Sequence, residues 1–318
     1  MMRRGGSSGG KCVLCQTFTR LAKWLRETTR KVGRFILSRV SAPGKKGAPR
    51  LAALQRTRRE SGGTGASIRA YTLHLAADKT TVFARTIDHF ISCTKESKEV
   101  RPQVVMRNMR QFMTGMKNYL VTHGEREFER HVEKERNKLK ANEFLNLDAI
   151  LEGVMHKLVV RPLREHLYRL FVDEYTESGA IQLLADNIRY ARTKTPKDIG
   201  IRPSVIPPNE EAMEEICSYL QKLQEVDSPL EKLENLLTSI ASIFNYVKVS
   251  NNPKTGMLLG ADDFLPLFVW VLVQSGMVGA EIEADYMWGL LHPSLLSGEG
   301  GYYLTTLSSA VHVLKNFR

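Results

Sequence analysis

From about residue 66 onward, apolar side chains recur three or four positions apart, the period of an amphipathic helix. Val82, Ile87, Phe90 and Ile91 mark one such stripe, and Val105, Met109, Phe112, Met116 and Leu120 mark a second at steps of 4, 3, 4 and 4. The segment 125–140 carries only Phe128, Val132 and Leu139 among charged residues, which predicts a solvated helix supported by i,i+4 ion pairs. Asn146-Leu147-Asp148 then predicts the cap of a long helix through Ile150, Leu151, Val154, Leu158, Leu163, Leu167, Leu170 and Phe171, bent at Pro162. The methionines at 106, 109, 113 and 116 share this periodicity and read as core filler.

The later chain continues in the same way. A helix is predicted over 181–192, followed by a Pro-rich extended passage over 195–208 that should wrap the surface. Asn209 opens a helix with a Met213, Ile216, Leu220 and Leu223 stripe. Ser228-Pro229-Leu230-Glu231 combines a cap, a first-turn proline and a glutamate three residues on, and predicts a helix to about residue 246. Further helices are predicted over 264–274, 281–291 and 305–316. With little β signal, the expected class is all-α: an antiparallel helical bundle over 67–178, packed on a layered all-helical domain over 179–318.

Two stretches near the end stand out from this regular background. In Leu259-Gly260-Ala261-Asp262-Asp263-Phe264-Leu265-Pro266, Gly260 ends a loop and either aspartate can cap the helix that follows. Pro266 is expected in the first helical turn, where it is tolerated. Residues 267–273 are apolar nearly all round, the mark of a buried helix. One cap needs one carboxylate, so the second aspartate is available as an outward-facing acid. In Gly298-Glu299-Gly300-Gly301-Tyr302-Tyr303-Leu304-Thr305, the glycines predict a flexible turn ahead of a helix. Adjacent tyrosines at a helix start cannot both face the core, which leaves one for solvent or a partner.

Charge changes the picture at one end only. The formal net charge is +12, yet residues 1–70 hold 17 Lys/Arg against Glu27 and Glu60, while the rest holds 29 basic and 32 acidic side chains. The basicity therefore belongs to a low-complexity tail over 1–66, expected to be mostly disordered. Within it, Phe18, Leu21, Leu25, Val32 and Phe35 alternate with Arg and Lys over 18–40, a candidate amphipathic helix suited to an anionic membrane surface. Nucleic-acid binding is not expected, because the tail lacks any recognised domain.

Other chemistries find little support. Cys12, Cys15, Cys93 and Cys217 are too few and scattered for a disulfide framework, and Cys12-Val13-Leu14-Cys15 has no second ligand pair for zinc. No metal or cofactor is expected. The chain has no Gly-x-x-x-x-Gly-Lys-Ser/Thr loop, no His-Glu-x-x-His and no Gly-x-Ser-x-Gly, which excludes the common nucleotidase, zincin and hydrolase signatures. No apolar run approaches the length of a membrane span.

Gly260-Ala261-Asp262-Asp263-Phe264-Leu265-Pro266, then Tyr286-Met287, His292-Pro293-Ser294 and the Gly-Glu-Gly-Gly-Tyr-Tyr-Leu-Thr run together resemble the signature of the Vps-nine domain. The wording is most similar to the Ras-and-Rab-interactor (RIN) family. The resemblance implies a guanine nucleotide exchange factor for Rab-five-type small GTPases, acting at early endosomes or endocytic vesicles, cytoplasmic, monomeric and without covalent chemistry. By position in the motif, Asp262 corresponds to the acid inserted into the nucleotide site and Tyr302 to the tyrosine that contacts the GTPase switch region. Asp263, Pro266, Gly301 and Thr305 fall in the GTPase-binding part of the motif, with Asp263 as the expected cap and Tyr303 facing inward. A helical bundle precedes the core in such proteins, and His166-Leu167-Tyr168 matches its joint with that core. Nothing before residue 67 resembles a Src-homology-two domain and no Ras-association domain follows. The chain is therefore expected to be a fragment, a short isoform or a divergent member. The competing reading is a non-catalytic Rab-binding adaptor tethered to anionic membrane by its tail.

Overall fold

A computed structural model describes residues 65–140, 142–250 and 259–317; the candidate helix over 18–40 and the Cys12–Cys15 pair lie outside them. The described residues are helical without a strand. The first group comprises α1 (Ala66–Ala77), α2 (Val82–Glu96), α3 (Pro102–His123), α4 (Phe128–Arg136), α5 (Leu147–Met155) and α6 (Arg161–Glu177). The second comprises α7 (Ala180–Ala191), α8 (Glu210–Glu225), α9 (Pro229–Ser250), α10 (Ala261–Ser275), α11 (Ala280–Leu290), the single turn α12 (Pro293–Leu296) and α13 (Glu299–Lys315).

Local chemistry explains many of the boundaries. Asn146 and Asn209 cap α5 and α8 by accepting from the amides of Ala149 at 3.1 Å and Ala212 at 3.0 Å. Ser228 does the same for α9, more weakly, at 3.4 Å from the Glu231 amide. α5 and α6 are joined by a π-helical turn, His156–Val160, in which the Arg161 amide reaches back to the His156 carbonyl. Pro162 lies just beyond it and cannot donate to residue 158, so one wide turn absorbs the disruption that its ring imposes. The expected bend is thus a bulge that begins six residues earlier.

Apolar side chains sort into two clusters. One gathers Ile68, Phe83, Met109, Met113, Leu163, Leu167 and Phe171 from α1–α6, so the methionines are core residues. The other gathers Leu184, Ile216, Leu236, Ile240, Phe268, Leu272, Leu307 and Leu314 from α7–α13. α11 serves both: Ile282, Tyr286 and Leu290, at i, i+4 and i+8, enter the first cluster, while Ala284 and Met287 enter the second. α10 is apolar all round for the same reason, being covered on every side from Phe264 to Val273 except at half-buried Trp270.

Polar groups seal this shared wall. Tyr168 donates to both oxygens of Glu283 at 2.9 and 2.8 Å. Lys232, with no exposed surface, pairs with the same carboxylate at 2.8 Å and donates to the Leu223 carbonyl at 2.7 Å. Burial pulls the lysine down and pushes Glu283 up, and their mutual attraction opposes both shifts. Tyr168, in the segment expected at the joint, is therefore a joint residue. Nearby, Glu152 on α5 accepts from Arg110 and pairs with Lys117 at 2.7 Å and His156 at 3.2 Å. Arg110 also donates to the Leu290 carbonyl at 3.3 Å, and His292 lies 3.6 Å from Asp148, which ties the turn after α11 to the bundle.

Glu283→Ala leaves a buried lysine without its counter-charge, and should cost about 3–5 kcal/mol in chemical unfolding. An unchanged midpoint would remove the pair from the joint. Burial alone would raise the Glu152 carboxyl, but the hydrogen bond and charge of His156, the charge of Arg110 and the hydrogen bond of Lys117 outweigh it and hold the group well below its ordinary value. A lowered carboxyl stabilises the fold above its ordinary value of 4.5 and loses that contribution as the pH falls below it. The melting temperature should accordingly drop below that pH in the wild type and drop less steeply in Glu152→Gln. Parallel acid limbs would contradict the assignment.

Candidate exchange site

The site candidate is the surface where the N-termini of α10 and α13 meet. Gly260 is the N-cap of α10, with extended backbone (φ −76°, ψ 167°) and no side chain to cap with, and its carbonyl accepts from the amides of Asp263 at 3.1 Å and Phe264 at 2.9 Å. Neither aspartate caps the helix. Asp263 is instead turned inward, 8% exposed, and both its oxygens take the Nε–H and Nη2–H of Arg202. The expected cap is replaced by a bidentate ion pair to the Pro-rich passage, 61 residues away in sequence. Successive helical residues point about 100° apart, so turning Asp263 in turns Asp262 out, and Asp262 is exposed.

Pro266 is not in the first turn of α10 but one turn inside it, and it is buried. The helix tolerates it there because it lies so near the end: the only bond forfeited is the one to the Asp262 carbonyl. Buried against the core, the proline ring is not part of the open surface in the free chain.

α13 begins at Glu299, so Gly300, Gly301 and both tyrosines lie inside the helix and the expected flexible turn is its first turn. Packing supplies the reason for the glycines. A Cβ on Gly301 would sit 1.9 Å from the Leu296 carbonyl oxygen, and one on Gly300 would sit 2.9 Å from that of Leu295. Only a bare backbone lets α12 and α13 approach so closely. Glu299 occupies the first turn, where acidic charge suits the helix dipole, and burial pushes its carboxyl up.

Both tyrosines are half-buried, and they differ in what they touch. Tyr303 packs edge-on to Phe264 at 6.1 Å and Phe244 at 6.4 Å, and Phe244 stacks on Phe264 at 4.7 Å. Tyr302 is half-buried, edge-on to Tyr303 at 5.0 Å. Burial raises its phenol, and the charge of Asp262 raises it further, so the two groups lie within electrostatic range of each other. Thr305 is half-buried and donates to the Gly301 carbonyl at 2.8 Å, while Gly301 itself is buried. The structure thus brings Asp262, Tyr302 and Thr305 to the accessible face and places Asp263, Pro266 and Gly301 beneath it. Arg202 is the residue that sequence reasoning missed: no local spacing links it to Asp263, and nothing in the passage sets it apart from Lys197 between the same prolines. Among the described residues no group of His, Cys, Asp and Glu could hold a metal ion.

Ala usually stabilises a helix relative to Gly by about 1 kcal/mol. At Gly301 the clash with backbone should outweigh that gain, making Gly301→Ala a net loss of about 1–3 kcal/mol. A rise in the urea midpoint would contradict the packing argument.

Comparisons with known proteins bear on this face. The family model of the RIN1-like domain matches residues 67–167, and that of the vacuolar sorting protein 9 (VPS9) domain matches residues 213–318, a span that contains both helix starts. The chain is similar to protein sprint of Drosophila melanogaster, 59% identical over 258 residues, covering 81% of this chain and 14% of that protein. It is similar also to Ras and Rab interactor 2 of Mus musculus, 34% identical over 248 residues, covering 77% of this chain and 26% of that one. Ras and Rab interactor 3 of Mus musculus is 30% identical over 251 residues, 77% of this chain and 24% of that protein. The chain thus spans about a quarter or less of the length of these relatives.

Proposed function

Because this chain belongs to the Ras and Rab interactor family, with a RIN1-like domain ahead of a VPS9 domain, we propose that it is a guanine nucleotide exchange factor for Rab GTPases of the Rab-five subfamily. The observation that carries the reading is the split of the two aspartates: Asp263 is neutralised within the protein, while Asp262 stands exposed beside Tyr302.

A small GTPase holds GDP through Mg²⁺ and a P-loop lysine that neutralise the phosphates. In the proposed mechanism, Asp262 enters that pocket, repels the β-phosphate, occupies the space of the Mg²⁺ ion and pairs with the freed lysine. One unit charge at about 4 Å, with an effective dielectric of about 20, amounts to roughly 4 kcal/mol. That corresponds to about a thousandfold in release rate if it is felt fully in the transition state. Tyr302, with Thr305 beside it, supplies the contact to the GTPase switch region. Asp263, Pro266 and Gly301 support the binding face from below. No bond is broken, so the chain acts as an exchange catalyst rather than a group-transfer enzyme.

The same reading places the protein in the cytoplasm at endocytic membranes, as a monomer, with the basic tail adding electrostatic attraction to anionic lipid. Residues 67–178 form the supporting bundle and 179–318 the exchange domain. Release of a fluorescent GDP analogue from a Rab GTPase panel tests the activity. Asp262→Ala should lower the rate by up to about 10³-fold, and Tyr302→Ala should also abolish exchange, with the far-ultraviolet dichroism of both unchanged. Rab binding without any acceleration of release by the wild type would instead favour the adaptor reading.

A further inference from the structure

The first turn of α10 is weakly secured by its own backbone. Gly260 offers no side-chain cap, and Pro266 has no N–H for the Asp262 carbonyl, so a bond that would ordinarily tie 262 to 266 is missing. Asp262 is therefore carried by a turn with one backbone bond fewer than usual, which gains from support by a neighbouring element. Arg202 is in the right place to do this. Its Nε–H and Nη2–H both go to Asp263, the residue next to Asp262, in a planar fork that fixes distance and angle together.

The backbone on either side of Arg202 is anchored. Its neighbours Ile199, Ile201 and Val205 are 0%, 5% and 4% exposed in the second core. The Ile201 amide bonds the Pro196 carbonyl at 3.0 Å, and the Val205 amide bonds that of Arg202 at 2.9 Å. An anchored loop thus presents one cation at the rim of the candidate site, with 60% of its side chain still exposed. The hydrogen bonds and charge of Asp263 hold its guanidinium proton more tightly than usual, and Asp262 adds to the effect, which places the second aspartate within range of the same charge.

We propose that Arg202 is a positioning residue for nucleotide exchange: its fork on Asp263 fixes the first turn of α10 so that Asp262 projects outward at the angle needed to enter the GTPase pocket. The inference rests on the exchange reading given above. It assigns the Pro-rich passage a role in catalysis, as the arm that aims the acid, and it assigns Asp263 an indirect one.

The test is GDP release at increasing concentrations of the full chain, which separates the maximal rate from the half-saturating concentration. Misplacing a reacting group by about 1 Å can cost on the order of a hundredfold. Arg202→Ala should therefore lower the maximal rate roughly tenfold to a hundredfold with half-saturation nearly unchanged, and it should lower the melting temperature as well, because the nearly buried Asp263 loses its counter-charge. Since Arg202 acts through Asp263, the Arg202→Ala/Asp263→Asn double variant should be no slower than the slower single variant. Arg202→Lys keeps the charge without the fork and should restore only part of the rate. If Arg202→Ala is too unstable to assay, Arg202→Lys decides the matter, and a wild-type maximal rate for it overturns the proposal. So does a wild-type maximal rate for Arg202→Ala while Asp262→Ala is inactive, an outcome that leaves the exchange reading standing. Wild-type exchange by Asp262→Ala would instead remove that reading itself.

Discussion

Two carboxylates on adjacent residues of one helical turn repel each other and point about 100° apart, so a fold that pins one of them inward necessarily aims the other. At the start of α10 the pinning group is the guanidinium of Arg202, and the pinned group is Asp263, nearly buried. Asp262 is left in solvent beside Tyr302. Every larger feature of the domain keeps that geometry in place. The all-apolar body of α10 is sunk in the second core, the glycines of α13 let α12 pack closely against it, Tyr303 packs edge-on to Phe264, and α11 ties this assembly to the preceding bundle.

The bundle contributes rigidity in the same terms. A lysine and a glutamate with almost no exposure are stable neighbours only when their partners are complete. Here the completing groups come from both sides of the wall: Tyr168 from α6, Lys232 from α9 and Glu283 from α11. A second polar cluster around Glu152 reaches the turn after α11 through Arg110 and His292. The loop that leads into α12 and α13 is thereby held at both ends, and the tyrosine face inherits its placement from contacts more than a hundred residues away in sequence.

Much of this was legible in the residues. Helical periodicity marked most of the elements, and Asn146 and Asn209 cap where their side chains suggested. What the pattern could not reveal is tertiary. Gly298-Glu299-Gly300-Gly301 reads locally as a turn, yet the helix starts at Glu299, and Gly301 is a glycine because the Leu296 backbone lies where a side chain would go. Asp263 reads as a cap, and is a buried anion because a cation 61 residues earlier folds onto it. Pro266 reads as a first-turn residue; its position one turn later follows from where Gly260 leaves the loop, which no propensity fixes to within a residue.

The central claim is that one exposed negative charge, and not the shape of the surface around it, drives nucleotide release. Asp262→Asn isolates this, since it keeps the size of the side chain and removes the charge. Single-turnover GDP release from a Rab GTPase saturated with this variant should fall to near the intrinsic rate of the GTPase alone, while the variant still binds the nucleotide-free GTPase. Release as fast as with the wild-type chain would contradict the account.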